Sequence, residues 1–232
     1  MSIAENVARV RAEIAAAARD AGRAPSEILL VGASKMNDAA ACRAAIAAGV
    51  DALGENRVQE MTQKLAAHAY DGAPLHFIGH LQRNKVRQVV GRADVIESVS
   101  SLELLAMIDA QAERLGVRQD ILLEVNVGGE AAKSGFAPEE TFGAARAAAA
   151  LAHVRLRGLM CIPPVAEAPR GSVPYFEKVR SLFVDINENL YHNTFDMLSM
   201  GMSGDFADAV RCGATVVRVG TAIFGTRQYT NP

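Results

Sequence analysis

The sequence predicts an α/β protein, a single (β/α)8 TIM barrel with an extra N-terminal helix, over residues 1–232. Eight short apolar runs recur along the chain without polar alternation, which is typical of parallel strands covered on both faces. Segments with helical spacing separate these runs and indicate βαβ units. Eight such units close a barrel, and barrels of this kind use about 250 residues. An open, doubly wound sheet of fewer strands is the alternative.

The first predicted element is a helix over residues 1–20, where Ile3, Val7, Val10 and Ile14 form one apolar face. Gly22 is a suitable stop for this helix. The eight predicted strands lie at 28–34, 50–54, 75–80, 94–99, 120–127, 156–162, 195–200 and 215–220. Between the strands, helices are predicted at 38–48, 56–68, 174–191 and 205–212. Three further helices are predicted: one ends near residue 90, one ends near residue 115, and one begins at residue 138.

Two helix starts carry recognisable signals. Ser100 and Glu103 have the spacing of a capping box, in which each side chain accepts a backbone N–H of the first turn. Pro138 fits the first turn of the next helix because it has no N–H to satisfy there. The Pro-rich stretch 163–174 is predicted to be a loop.

Composition excludes several classes of protein. The chain has 24 Lys+Arg and 26 Asp+Glu, a net charge of −2, so it lacks the basic excess of general nucleic-acid binders and of proteins that bind anionic membranes. Its three cysteines are far apart, which argues against a disulfide scaffold or a zinc site and favours a reducing compartment. We find no signal-peptide pattern and no apolar run of about 18 residues. The expected location is the cytoplasm.

In such a barrel the chemistry lies at the carboxyl ends of the strands. Lys35 ends the otherwise apolar first strand. Partial desolvation there would favour the neutral amine, the form that adds to an aldehyde. The alternative is a lysine at a strand end with its ammonium group in water.

The segments after strands seven and eight are rich in small and hydroxyl residues, SMGMSGD at 199–205 and VGTAIFG at 219–225. Barrels often bind phosphate between these two loops, although ordinary tight turns are the alternative. An amine and a phosphate site together indicate an aldehyde or ketone that carries a phosphate. Pyridoxal 5′-phosphate (PLP) fits, and so does a sugar phosphate handled by a Schiff-base aldolase.

Seven blocks of the sequence resemble the YggS/PROSC family of pyridoxal phosphate homeostasis proteins. They are ASK at 33–35, GENRVQE at 54–60, HFIGHLQRNK at 76–85, LEVNVGGEAAKSG at 123–135, LRGLMCIPP at 156–164, LSMGMSGDF at 198–206 and VRVGTAIFGTR at 217–227. The resemblance implies a barrel like the N-terminal domain of alanine racemase, with PLP bound as a Schiff base on Lys35. It also implies that Arg218 faces the pyridine nitrogen and that Asn56 lies beside the cofactor. The residues it assigns to the phosphate are Ser199, Gly201, Gly220 and Thr221, with Ser203 a weaker candidate.

A guanidinium group such as that of Arg218 only donates hydrogen bonds, so the ring nitrogen opposite it must be an unprotonated acceptor. PLP is then a weak electron sink. Racemases of this kind take a second base from another domain, which we do not expect here. We therefore expect a monomeric protein that buffers PLP or delivers it to apo PLP-dependent enzymes, with little or no turnover. A PLP-dependent amino-acid racemase or lyase is the alternative, and Lys133 is a candidate for a second aldehyde-reactive lysine.

Overall fold

A computed structural model of the protein describes residues 1–165 and 168–225. Its eight strands are parallel and form a closed barrel in chain order, in which β8 pairs with β1. The predicted fold class is confirmed. The strands are β1 (Leu29–Ala33), β2 (Ala52–Glu55), β3 (Leu75–Phe77), β4 (Val95–Val99), β5 (Gln119–Val125), β6 (Val154–Cys161), β7 (Met197–Ser199) and β8 (Val216–Val219).

Helices lie between the strands, and one helix precedes the barrel. They are α1 (Ile3–Asp20), α2 (Ala39–Ala47), α3 (Val58–Ala66), α4 (Val86–Val89), α5 (Leu102–Leu115), α6 (Pro138–Ala149), α7 (Val173–Asn189), α8 (Phe206–Arg211) and α9 (Thr221–Phe224). Short 3₁₀ turns precede β1 at Pro25–Glu27 and α4 at Arg83–Lys85. In the described ranges, no helix combines the length and the apolar character needed to cross a membrane.

The structure corrects three details of the sequence prediction. Ser101, and not Ser100, caps α5, because its Oγ accepts the N–H of Leu104 at 3.1 Å. Glu103 instead forms an ion pair with Arg83, so there is no capping box at this helix. The predicted loop at 163–174 lies partly outside the described residues, and α7 already begins at Val173.

The helix α9 was not predicted, because its four residues follow β8 directly and are too few to show helical periodicity. It is held against α1 by two hydrogen bonds. Asn6 Nδ2 donates to the carbonyl of Ile223 at 2.9 Å, and Arg9 donates to the carbonyl of Ala222 at 3.0 Å. The N-terminal helix therefore supports the segment that follows the last strand.

The barrel interior changes from apolar to polar along its axis. Side chains from seven strands form a small apolar cluster inside the barrel: Val31, Ala52, Val95, Leu122, Met160, Met197 and Val216. Two positions further along their strands, Glu97, Ser199 and Arg218 are also buried. Because side chains of a strand alternate between its two faces, these three residues point into the barrel as the apolar cluster does. The polar layer thus lies nearer the carboxyl ends of the strands.

Candidate functional site

Lys35 follows β1 at the carboxyl end of the barrel and is half-buried. The residue before it, Ser34, is fully buried and donates its hydroxyl to Glu55 Oε1 at 2.7 Å. The residue after it, Met36, has a φ of +63°, and its N–H donates to Glu60 Oε2 at 2.7 Å. The backbone on both sides of Lys35 is therefore held by side chains of β2 and α3.

A buried chain of polar groups crosses the barrel interior and ends at Arg218, which is 3 % exposed. Arg218 donates to Ser199 Oγ at 2.5 Å and to the carbonyl of Cys161 at 2.9 Å. Ser199 Oγ donates in turn to Glu97 Oε2 at 2.6 Å. The other oxygen of Glu97 lies 2.6 Å from Nδ1 of His76. Groups on β3, β4, β6 and β7 thus hold the guanidinium group of Arg218, which β8 carries, in place.

Glu97 and Arg218 are buried groups of opposite charge inside the barrel. Burial by itself would raise the pKa of Glu97, but the hydrogen bond and charge of His76, the charge of Arg218 and the hydroxyl of Ser199 outweigh it and lower the pKa. Glu97 is therefore ionised at neutral pH and acts as the buried counter-ion of Arg218, 3.8 Å from it.

The loops after β7 and β8 lie side by side because these two strands are neighbours in the barrel. Gly201 is buried with a φ of +90°, and a Cβ there would lie 2.5 Å from the Cβ of Ala209 on α8. Ser203 Oγ accepts the N–H of Ala222, which ties the two loops together. Gly220 and Thr221 begin the last helical turn, and Thr221 is exposed. The loops that were predicted to hold a phosphate therefore form one surface.

This surface adjoins the first strand. A Cβ on Gly220 would lie 3.3 Å from the carbonyl oxygen of Ala33, two residues before Lys35. Arg218 pairs in register with Val31. The structure thus brings Lys35, Arg218 and the two loops to one end of adjacent strands. Ser199 shares this end, but its hydroxyl already donates to Glu97 and accepts from Arg218, so its contact with a phosphate stays a prediction.

A cleft of about 450 Å³ opens beside Asn56, the residue that follows β2. His80, Glu124 and Lys133 are among its lining residues. Asn56 Oδ1 is buried and has no hydrogen-bond partner among the described residues. Gly79 packs so closely that a Cβ would lie 2.1 Å from the carbonyl oxygen of Asn56. The position of Asn56 is therefore tightly fixed, and its buried amide oxygen is left without a partner among the described residues.

Lys133, the second candidate lysine, lies at the rim of this cleft and is exposed. It forms an ion pair with Glu130, and its Nζ donates to the carbonyl of Pro163 at 3.3 Å. Its reactivity toward an aldehyde stays a prediction.

Glu97 and His76 are not among the site residues predicted from the sequence. The available signal is a glutamate inside the apolar run at 94–99, because an acid is rarely buried there without a partner. The partners of Glu97 lie on other strands, so the run at 94–99 by itself does not show whether Glu97 points into the barrel or away from it.

Glu124 is the acid of the cleft for which we expect a measurable pH effect. Burial raises its pKa, although the hydrogen bond from Ser134 and the charges of His80 and Arg218 oppose the rise. The unfolded chain loses this proton first, so the contribution of Glu124 to stability falls as pH rises above the ordinary glutamate pKa of about 4.3.

We expect Glu124→Gln to be more stable than the wild type at pH 7, and the difference to vanish below about pH 4. Urea unfolding at both pH values measures this, with Glu177→Gln on the exposed surface of α7 as the control. A Glu124→Gln protein that is less stable than the wild type at pH 7 would contradict the expectation.

Comparison with known proteins agrees with the fold. A family model described as the N-terminal domain of alanine racemase matches residues 4–228. The pyridoxal phosphate homeostasis protein of Pseudomonas aeruginosa is 42% identical over 100% of this chain and 98% of its own length. The protein of that name from Escherichia coli strain K12 is 39% identical, with 98% of each chain covered.

Two solved structures extend the comparison. PipY of Synechococcus elongatus PCC7942, solved with PLP bound, has a TM-score of 0.83 and 33% identity, with 97% of this chain and 100% of PipY covered. Alanine racemase of Clostridium difficile 630 has a TM-score of 0.73 and 16% identity over 88% of this chain and 56% of the racemase, a likeness of fold alone. On these matches, which span nearly its whole length, the chain belongs to the pyridoxal phosphate homeostasis protein family, within the alanine racemase N-terminal domain group.

Proposed function

We propose that this protein binds PLP through Lys35 and takes part in intracellular PLP homeostasis, by buffering the cofactor or delivering it to apo PLP-dependent enzymes. The observation that carries the proposal is the buried guanidinium group of Arg218, held by Ser199 and by the carbonyl of Cys161, on the strand next to Lys35. A fixed guanidinium group beside a half-buried lysine is suited to a flat ligand with a hydrogen-bond acceptor and an aldehyde.

The donor set of the site fits PLP. A lysine amine suits the aldehyde, and a guanidinium group suits an unprotonated ring nitrogen. Gly201 and Gly220 let the backbone come close to a phosphate, and Ser203 and Thr221 supply hydroxyl groups. Asn56 follows the strand that pairs with β1, and its Oδ1, which has no partner among the described residues, adds a polar group to this donor set.

Lys35 would hold the cofactor reversibly. Its neutral amine adds to the aldehyde carbon, one water leaves, and a C=N bond remains. Addition of water to the same bond returns the amine and the aldehyde, so no other reactant is needed for release. PLP bound to an enzyme supplies an electron sink for reactions at amino acids. Arg218 works against this chemistry, because a guanidinium group cannot give the ring nitrogen the proton that makes the sink strong.

The described tyrosines do not line the cleft beside Asn56, and burial raises the pKa of Tyr70, whose hydroxyl lies near Glu55 and Ser34. Tyr70 is buried next to α3, while Tyr175 and Tyr191 lie on and just after α7. The hydroxyl of Tyr191 donates to the carbonyl of Ala145 at 3.0 Å. Tyr229 lies outside the described residues. This supports a protein that holds PLP with little or no turnover. A single domain over residues 1–232, a monomeric state, a cytoplasmic location and transfer to apo-enzymes stay predictions.

The test is borohydride reduction in the presence of PLP, followed by mass spectrometry of the peptides. We expect the wild type to gain one phosphopyridoxyl group on Lys35, and Lys35→Ala to gain none at that position. Lys133→Ala, which removes an exposed lysine from the same end of the barrel, should still be labelled on Lys35. A wild-type protein without an adduct on Lys35 at saturating PLP would overturn the proposal.

A further inference from the structure

We propose that Lys64 is a positioning residue, which presents Lys35 to the cofactor by fixing the peptide group in front of it. Lys64 lies on α3 and donates from Nζ to the carbonyl oxygen of Ser34 at 2.8 Å. That carbonyl belongs to the peptide bond that joins Ser34 to Lys35. The inference rests on the proposed function, because it concerns how Lys35 is held for PLP.

The contacts of Lys64 are unusual for a helical lysine. Its side chain is 9% exposed, and its ammonium group forms an ion pair with Glu55, whose side chain is fully buried. Ser34 Oγ donates to the same oxygen of Glu55. Lysine and glutamate are seldom buried to this extent, because desolvation of the two charges can exceed the attraction between them. A well-packed apolar pair could fill the same volume, so packing alone does not account for this ion pair.

The peptide group after Lys35 is held by the same helix. The N–H of Met36 donates to Glu60 Oε2 at 2.7 Å, and this oxygen lies 3.8 Å from Lys64 Nζ. Met36 has a φ of +63°, a conformation that residues other than glycine adopt only when their surroundings impose it. Lys64 and Glu60 thus fix the peptide groups on both sides of Lys35, and the chain does not need to become ordered when PLP binds.

The contacts of Lys64 and Glu60 affect the bond between Lys35 and the aldehyde of PLP, and they do not affect the contacts of the phosphate and the ring. The candidate residues for the phosphate and for the ring nitrogen lie on β7, β8 and the loops after them, and Lys64 bonds to none of these. Loss of Lys64 should therefore weaken the binding of a ligand that forms a bond to Lys35, and it should leave unchanged the binding of a ligand that does not. Pyridoxine 5′-phosphate is such a ligand, because it has the same ring and phosphate but an alcohol in place of the aldehyde.

The experiment measures the affinity of the full chain for both compounds. Lys64→Met is combined with Glu55→Gln, so that no unpaired charge stays buried and the protein can fold. The control is the pair Arg11→Met and Asp51→Asn. Arg11 also donates to one carbonyl and one carboxylate, those of Gly49 and Asp51, at the opposite end of the barrel. Thermal unfolding tests whether both variants are folded, and the visible absorption of the Schiff base reports the bond to Lys35.

We expect the Lys64 variant to bind PLP about tenfold more weakly, the factor expected from one lost charge-assisted hydrogen bond, with a weaker Schiff-base absorption at equal PLP. Its affinity for pyridoxine 5′-phosphate should not change, and the control should match the wild type for both compounds. An unchanged affinity for PLP, or equal losses for the two compounds, would overturn the positioning role. A wild-type protein that bound no PLP would overturn the proposed function, and the positioning role with it.

Discussion

Glu97→Gln is expected to lower the free energy of unfolding by about 3–5 kcal/mol at pH 7, because it leaves Arg218 buried without its counter-ion. Glu97 is fully buried and Arg218 is 3% exposed, so neither group can be compensated by water. Because the pKa of Glu97 is lowered in the folded protein, its contribution to the free energy of unfolding is fully present above the ordinary glutamate pKa of about 4.3. Urea unfolding as a function of pH measures the loss.

The matched control is Asp120→Asn at the opposite end of the barrel. Asp120 also has a lowered pKa: burial would raise it, but Arg155 and Arg157 outweigh this effect. The two arginine side chains are 53% and 21% exposed, so water can replace their ion pairs, and we expect a loss of about 1 kcal/mol or less. Equal losses for the two variants would show that Glu97 is not the counter-ion of Arg218. The difference between Glu97→Gln and the wild type should shrink as the pH falls well below about 4.3.

Gly201→Ala is expected to cost about 2–4 kcal/mol and to weaken PLP binding, because the new methyl group has no space in the loop after β7. Its Cβ would lie 2.5 Å from the Cβ of Ala209 and 2.9 Å from the Cα of Phe206. The φ of +90° adds strain for any residue with a side chain. Either the loop or α8 must move, and the surface that we propose for the phosphate moves with it.

Gly204→Ala is the control in the same loop, because a Cβ there has nothing within 4 Å and its backbone is outside the left-handed region. We expect its stability to lie within about 0.5 kcal/mol of the wild type, with PLP affinity unchanged. Urea unfolding and a PLP titration on both variants check the pair. A Gly201→Ala protein with the stability and affinity of Gly204→Ala would contradict the role given to this loop.

Sequence patterns were sufficient for the architecture, because each of its signals is local. An apolar run without polar alternation indicates a buried parallel strand, whatever the sequence around it. Eight such runs that alternate with helices indicate a closed barrel. The same holds for Lys35, which stands out at the end of an apolar strand, and for the glycine and hydroxyl residues at 199–205 and 219–225. The strand ends were less well predicted. For β3, the predicted strand at 75–80 extends to His80, but the strand ends at Phe77.

The partners of these residues were decided only by the tertiary structure. Glu97, Ser199 and Arg218 are separated by 102 and 19 positions along the chain, and they meet because the closed barrel turns three strands toward one axis. Lys64 has the sequence context of a solvated helical lysine, yet it is buried because α3 packs over the end of β1. Composition and periodicity show which residues are unusual. The position of a buried charge depends on which distant group can compensate it, and only the folded chain brings that group within reach.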